Sequence, residues 1–301
     1  MRYLTRRGFT LVELLVALVV FAIVAGSLMQ VLITSQKVTA MQQSRAGLQS
    51  NLRVGSMMVP NELRMLNQSD TTDILDISDT SVTYLAMRGY YALCAAPTTA
   101  TSIKVIRIAT SGFNFDYRAP AVGDSAFIFY EDDTLKMSDD KWVRVGVSAV
   151  SAATTCTYPS VSGSSRSSLT LTLNPGIPAG KTLNRFLEGS PVRSYEITRM
   201  SLFTSGGQQW FGMCTGAIDC ALQPVLGPLA SSGGVLITRY DSAGNSITAN
   251  TFAARNSLRS MSIRFIGLTD QPVATGTANG TIRYVTDTLT TIVTLRNVRQ
   301  N

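Results

Sequence analysis

Phe9 to Ile33 is a 25-residue stretch whose only charge is Glu13 and whose only amide is Gln30. As a helix rising about 1.5 Å per residue it spans roughly 37 Å, enough to cross a hydrocarbon core of about 30 Å with some tilt. Arg2, Arg6 and Arg7 precede it, which gives the polarity of an export signal, with the N-terminus cytoplasmic and everything after Ile33 on the outer side. Ala25, Gly26 and Ser27 lie inside the periodic apolar run, so ordinary signal cleavage is disfavoured and the segment is expected to stay in the membrane. No second run of about 18 apolar residues follows, and the chain reads as single-pass.

Glu13 is the anomaly. An ionisable side chain at the centre of a membrane helix costs about 2.5 to 3.5 kcal/mol even on the permissive insertion scale, so the residue calls for a function and a partner. Its surroundings, Arg6-Arg7-Gly8-Phe9-Thr10-Leu11-Val12-Glu13-Leu14-Leu15-Val16-Ala17-Leu18, resemble the class III signal of type IV pilins and pseudopilins. The resemblance implies that a prepilin peptidase cuts after Gly8 and methylates the new amino terminus, Phe9. It also implies that Glu13, fifth in the mature chain, pairs with the amino terminus of a neighbouring subunit. At about 4 Å and an effective dielectric of about 20, an amine and a carboxylate attract by roughly 4 kcal/mol. A wrong register leaves both charges unpaired in lipid, so the pair sets axial register more than it adds net stability. Leu11, Val12, Leu14, Leu15, Leu18 and Phe21 would then supply helix packing in a fibre core.

Beyond the apolar run, Leu48, Leu52, Val59, Leu63 and Leu66 recur at helical spacing among polar residues, so the helix is expected to continue as an amphipathic extension. Pro60 removes a backbone donor and should kink or interrupt it, and Gly26 is a second weak point. From about Asn67 the pattern becomes short alternating segments: Ser81 to Met87, Lys104 to Ala109, Ala126 to Tyr130, Trp142 to Val150, Ser168 to Leu173, Val192 to Phe203, Val235 to Tyr240, Leu258 to Ile266 and Leu289 to Leu295. Ser148 to Ser168 and Ala274 to Gly280, rich in Ser, Thr, Ala and Gly, read as loops unlikely to pack tightly. The expected fold is α+β: a leader over 1–8, a transmembrane helix over 9–33, an amphipathic helix over 34–67, and a mostly antiparallel β head over 68–301.

The chain has no histidine, which removes Ser/His/Asp and Cys/His triads and histidine metal sites. No serine sits in a G-x-S-x-G elbow, and Gly206-Gly207 and Gly233-Gly234 lack a phosphate-loop context. Glu131, Asp132, Asp133, Asp139 and Asp140 could offer oxygen to a calcium ion, but their spacing is not that of a calcium loop, and Lys136 and Lys141 make a solvated hairpin loop the better reading. The net charge of +7 falls to +4 once Arg2, Arg6 and Arg7 are set aside, too diffuse to mark a nucleic-acid footprint. Tyr90-Tyr91 and Trp210-Phe211 read as core or subunit-interface packing.

Cys94, Cys156, Cys214 and Cys220 all follow the export segment, and no pair has C-x-x-C spacing. An even count on the outer side suggests disulfides. Three connectivities are possible, and closing the short Cys214–Cys220 loop leaves Cys94 to pair with Cys156.

The head, with Val192 to Phe203, the turn from Tyr240 to Asn245 and the closing Leu295-Arg296-Asn297, is similar to minor pilins of the PilW kind and to the related J pseudopilins. The function this implies is a non-enzymatic minor type IV pilin without cofactor, a structural subunit that primes a pilus or is incorporated into it. The alternatives are a J-like pseudopilin of type II secretion, or a DNA-uptake or adhesive tip pilin, which needs a clustered basic or aromatic face on the head. The implied partners are other major and minor pilins, the prepilin peptidase, the inner-membrane pilus assembly platform and membrane lipid, with nucleic acid only for a DNA-uptake pilus.

Overall fold

The computed structural model describes residues 10–66, 73–107, 109–110, 113–114, 118–132, 136, 140–151, 155–157, 165–217, 219–275 and 281–295. One compact unit comprises Met1–Ser50 with Leu268–Asp287, and the other Asn51–Gly267 with Thr288–Asn301, each within those described residues.

A single helix, α1 (Leu11–Arg64), accounts for 54 residues, about 81 Å at 1.5 Å per residue. It runs unbroken through Gly26, where an added Cβ would meet nothing. Pro60 does not interrupt it either: the helix carries on to Arg64. The lost backbone bond is offset there by burial, because Val59, Pro60, Leu63 and Leu66 are all buried, and Pro60 lies within one turn of the end.

After α1 the chain is almost wholly β. The strands are β1 (Ile74–Ile77), β2 (Ser81–Leu93), β3 (Ser102–Arg107), β4 (Ala109–Thr110), β5 (Phe113–Asn114), β6 (Ser125–Tyr130), β7 (Lys141–Ser151), β8 (Thr155–Thr157), β9 (Ser165–Leu173), β10 (Pro191–Ser205), β11 (Gln208–Thr215), β12 (Gln223–Leu229) and β13 (Val235–Tyr240). A short helix, α2 (Phe252–Ser257), is followed by β14 (Ser260–Leu268), β15 (Val273–Thr275), β16 (Thr281–Arg283) and β17 (Thr286–Thr294). The ladders with a described register are all antiparallel. The architecture is therefore a long N-terminal apolar helix followed by a mostly antiparallel β head.

Two strands organise this head. β10 pairs with β2 from Pro191↔Ala92 to Ser201↔Ser81, and both outrun their other neighbours. One half of the β2–β10 pair belongs to a sheet ordered β1-β2-β10-β11-β12-β14, with β13 and β17 on β14. The other half is closed by an excursion of the chain between Leu93 and Pro191, whose strands follow the order β2-β3-β9-β7-β6-β10 and so return to the starting pair. That ring is a six-stranded barrel. Its interior is filled by alternate residues of every wall strand: Tyr91 and Leu93, Ile103 and Val105, Leu171 and Leu173, Val143, Val145 and Val147, Ala126, Ile128 and Tyr130, and Val192. Side chains of that size fill a small barrel completely, so it is a packed core and not a channel.

The C-terminal part of α1 packs on the open sheet. Gly55 lets it approach closely, since a Cβ there would lie 2.6 Å from Leu226 Cδ2 on β12, and Asn51 Nδ2 donates to the Gly227 carbonyl at 3.2 Å. Phe211 and Phe265 meet edge to face at 5.6 Å, both buried. The β10–β11 hairpin turns on Gly206 and Gly207, with φ of 59° and 77°, values that suit a two-residue turn of left-handed backbone.

The described parts of Ser148 to Ser168 are not a linker: they hold the end of β7, all of β8 and the start of β9, with Cys156 buried, while 152–154 and 158–164 lie outside the described residues. Ser and Thr at alternate positions suit the outer face of a barrel wall, and composition alone did not separate such a wall from a loop. Of the stretch Ala274 to Gly280, Ala274 and Thr275 belong to β15, with Ala274 paired to Ile282 of β16, and 276–280 lie outside the described residues.

Candidate functional site

The N-terminal site begins at the first turn of α1. Thr10 precedes the helix, and its side chain accepts from the Glu13 backbone N–H at 3.3 Å, while the Leu14 N–H donates to the Thr10 carbonyl at 3.2 Å. Thr-x-x-Glu is the pattern of a capping box, which satisfies otherwise orphaned helix N–H groups. Glu13 thus sits three residues into the helix with its side chain exposed. Gly8, Phe9 and the leader lie outside the described residues.

None of the described residues covers the apolar segment that follows. An 18-residue window of α1 reaches a mean hydropathy of 2.7 with none of it buried, and Leu11, Val12 and Phe21 are 83%, 70% and 70% exposed. So much bare apolar surface is not stable in water and has to be covered by lipid or by other helices. The few hydroxyls are satisfied internally: Ser27 Oγ donates to the Val24 carbonyl at 2.8 Å and Thr34 Oγ1 to the Gln30 carbonyl at 2.9 Å. In lipid no water would be present to do so.

The cysteines lie far from this segment in sequence. Cys94 directly follows β2 and is bonded to Cys156 on β8, with Cα atoms 6.0 Å apart. The pair packs with Ala92 and Ile106 in a small cluster on the outside of the barrel wall. Cys214 on β11 is bonded to Cys220, Cα atoms 5.7 Å apart, closing the loop that leads to β12.

One set of residues escaped the sequence reading altogether. Glu62 of α1, Arg88 of β2, Glu196 of β10, Arg118 and Asp124 form a chain of ion pairs. Arg88 Nη1 lies 3.6 Å from Glu62, Arg88 Nε 3.1 Å from Glu196, Arg118 Nη2 3.4 Å from Glu196, and the same Arg118 nitrogen 2.7 Å from Asp124. Arg88 is the extra residue of a bulge, since Ser194 faces Gly89 while Tyr195 faces Met87. Burial pushes the Asp124 carboxyl up from its usual 3.8, against the lowering by the Ala121 N–H and Arg118. Burial also raises Tyr84, whose hydroxyl donates to Glu62 at 3.4 Å, and carries Tyr195 up to about 12. Arg239, buried on β13, donates to the carbonyls of Ile77, Thr248 and Ala249 and pairs with Asp79 at 3.2 Å. Residues that meet only after folding, 108 positions apart for Arg88 and Glu196 and 162 for Arg239 and Ile77, leave no local pattern to read.

Among the described residues no group of three or more His, Cys, Asp or Glu is placed to hold a metal ion. Asp133 and Asp139 of the acidic stretch lie outside those residues, and Asp132 accepts from the Tyr130 hydroxyl at 3.4 Å. Tyr91 and Phe211 are core residues, and Trp210 donates to the Ser205 carbonyl at 3.3 Å.

Residues 4–29 match the family described as the prokaryotic N-terminal methylation motif. That motif runs into an apolar helix segment left uncovered by the described residues, with a mostly antiparallel β head beyond it, a layout similar to that of type IV pilin-like proteins. No curated protein matches the chain. Among solved structures it is similar to the type IV-like pilin TTHA1219 from Thermus thermophilus, at 12% identity over 60% of this chain and 90% of that one, with a TM-score of 0.21.

Proposed function

We propose that this chain is a minor type IV pilin of the PilW kind, held in the inner membrane by residues 9–33 until it primes or joins a fibre. The observation that carries the reading is the continuity of the methylation motif with an apolar helix segment, none of which is buried. In this reading a prepilin peptidase cuts between Gly8 and Phe9, Phe9 is N-methylated, and Glu13 receives the amine of a neighbouring subunit. Its partners are other pilins and the assembly platform, with the head on the periplasmic side and later at the cell surface. Both disulfides suit that oxidising compartment.

Intact-mass measurement of the protein from its native host tests the reading. The expected mass is that of a chain beginning at methylated Phe9, and a mass that retains Met1 to Gly8 overturns it. Scoring one deletion strain for both surface fibres and protein secretion separates the pilus role from that of a type II secretion pseudopilin.

A further inference from the structure

The six-stranded ring is not equally well closed all round. Among the described residues its ladders run to eleven residue pairs between β2 and β10, six between β6 and β7, five between β3 and β9, and four each between β7 and β9 and between β6 and β10. Between β2 and β3 there are three, Tyr91↔Arg107, Ala92↔Ile106 and Leu93↔Val105, followed by the Cys94 N–H donating to the Lys104 carbonyl at 2.8 Å. A shorter ladder holds two strands by fewer backbone bonds, so the β2–β3 seam is the weakest in its backbone pairing.

The two seams where the excursion rejoins the β2–β10 pair are reinforced by different means. On the β6–β10 side, Phe127 meets Tyr195 edge-on at 4.9 Å in a buried cluster with Leu85, and Arg118, which precedes β6, reaches Glu196 at 3.4 Å. On the β2–β3 side the reinforcement is covalent. β8 pairs with β9 through Cys156↔Arg166, and β9 pairs with β3, so the Cys94–Cys156 bond ties the far side of the seam back to the end of β2. Ala92 of β2 and Ile106 of β3, opposite each other in the ladder, pack in one buried cluster with both cysteines. Cys94 and Cys156 are only 8% and 1% exposed, so a thiol in solution has little access to either sulfur until the seam begins to part. Opening and reduction therefore favour one another. The Cys214–Cys220 bond lies outside the ring, beyond β11.

We propose that the β2–β3 seam is a redox-controlled gate in the barrel wall, closed by the Cys94–Cys156 bond and released when a dithiol reduces that bond. In that step the two thiols of the dithiol give up two electrons and two protons and join as a disulfide, and Cys94 and Cys156 take them up and become thiols. β3, with β9 and β8, then parts from β2 and uncovers Tyr91, Leu93, Ile103 and Val105 of the barrel interior, while β6 stays on β10 and the sheet from β10 to β14 keeps its pairing. An oxidising compartment keeps the gate shut. The gate holds whether or not the chain joins a fibre.

Amide hydrogen exchange of the full, detergent-solubilised chain, read strand by strand, tests it. Cys214→Ala with Cys220→Ala is the background, so that the gate bond alone is reducible. Dithiothreitol is added to the folded chain until alkylation counts both gate thiols. The expected result is that exchange across Ser102–Arg107 rises about tenfold or more, whereas that of Ser125–Tyr130 and Gln208–Thr215 changes less than about twofold. Cys94→Ala with Cys156→Ala in the same background is expected to show the same pattern without reductant, which separates loss of the bond from effects of the reagent. Where the two forms differ, the reduced chain decides, because it folded with the bond in place. A rise shared alike by β3, β6 and β11 overturns the proposal, since the barrel then opens only with the whole head, and so does an unchanged β3 or a rise in β6 ahead of β3.

Discussion

Replacing Cys94 and Cys156 together with alanine opens a loop whose ends are 62 residues apart, whereas replacing Cys214 and Cys220 opens one of only 6. In the chain-entropy model the restriction on the unfolded chain grows with the logarithm of loop length, giving about 4 kcal/mol for the first and about 2 kcal/mol for the second. Place strengthens the contrast, because the Cys94–Cys156 bond ties the end of β2 to β8 and fills a buried cluster with Ala92 and Ile106. Urea titration of the detergent-solubilised chain measures it, using the fluorescence of Trp142 in the barrel wall and Trp210 on β11. With a slope of about 2 to 3 kcal/mol per molar, the Cys94/Cys156 variant should lose about 1.5 to 2 M in midpoint and the Cys214/Cys220 variant about half that. Double replacement leaves no unpaired thiol to rearrange. Equal shifts for the two variants, or a larger one for Cys214/Cys220, would refute the loop-length reasoning.

Glu196→Gln strips the shared negative charge from between Arg88 and Arg118 and should cost about 2 to 3 kcal/mol, read as a fall in melting temperature; an unchanged value would mean that the network is solvated in solution. Asp124 gives a pH signature: its folded carboxyl titrates above the usual 3.8, so the native state binds the proton more tightly than the unfolded chain does. The stability difference between the wild type and Asp124→Asn should therefore fall as pH rises through the window above 3.8, and a rise would reverse the assigned cause, which is burial. Glu13→Ala should leave the melting temperature of the head unchanged and reduce the amount of chain recovered in sheared fibres; normal recovery would argue against a register role for Glu13.

The long apolar helix, the methylation motif and most of the strands were written in local sequence. An unbroken apolar run, a glutamate within it, and residues alternating at period two are short-range patterns that any neighbouring fold preserves. Met261, Ile263 and Phe265 are buried on β14 because they alternate with Ser260, Ser262 and Arg264, and β13 spans Val235–Tyr240 as its alternation suggests. The long helix survives Pro60 only because its last turns are buried, a compensation that the local pattern does not contain. β12 was missed for a related reason, since Gln223–Leu229 holds two prolines and pairs with β14 only at its end. Tertiary structure alone decided that the stretch from Leu93 to Pro191 would close into a barrel, because closure depends on β6 and β3 finding opposite edges of one β2–β10 pair. It also decided the ion-pair chain from Glu62 to Asp124 and the burial of Arg239. Each of those contacts joins residues that only strand pairing brings together, and a charged residue has the same local sequence whether it ends in water or beside its partner.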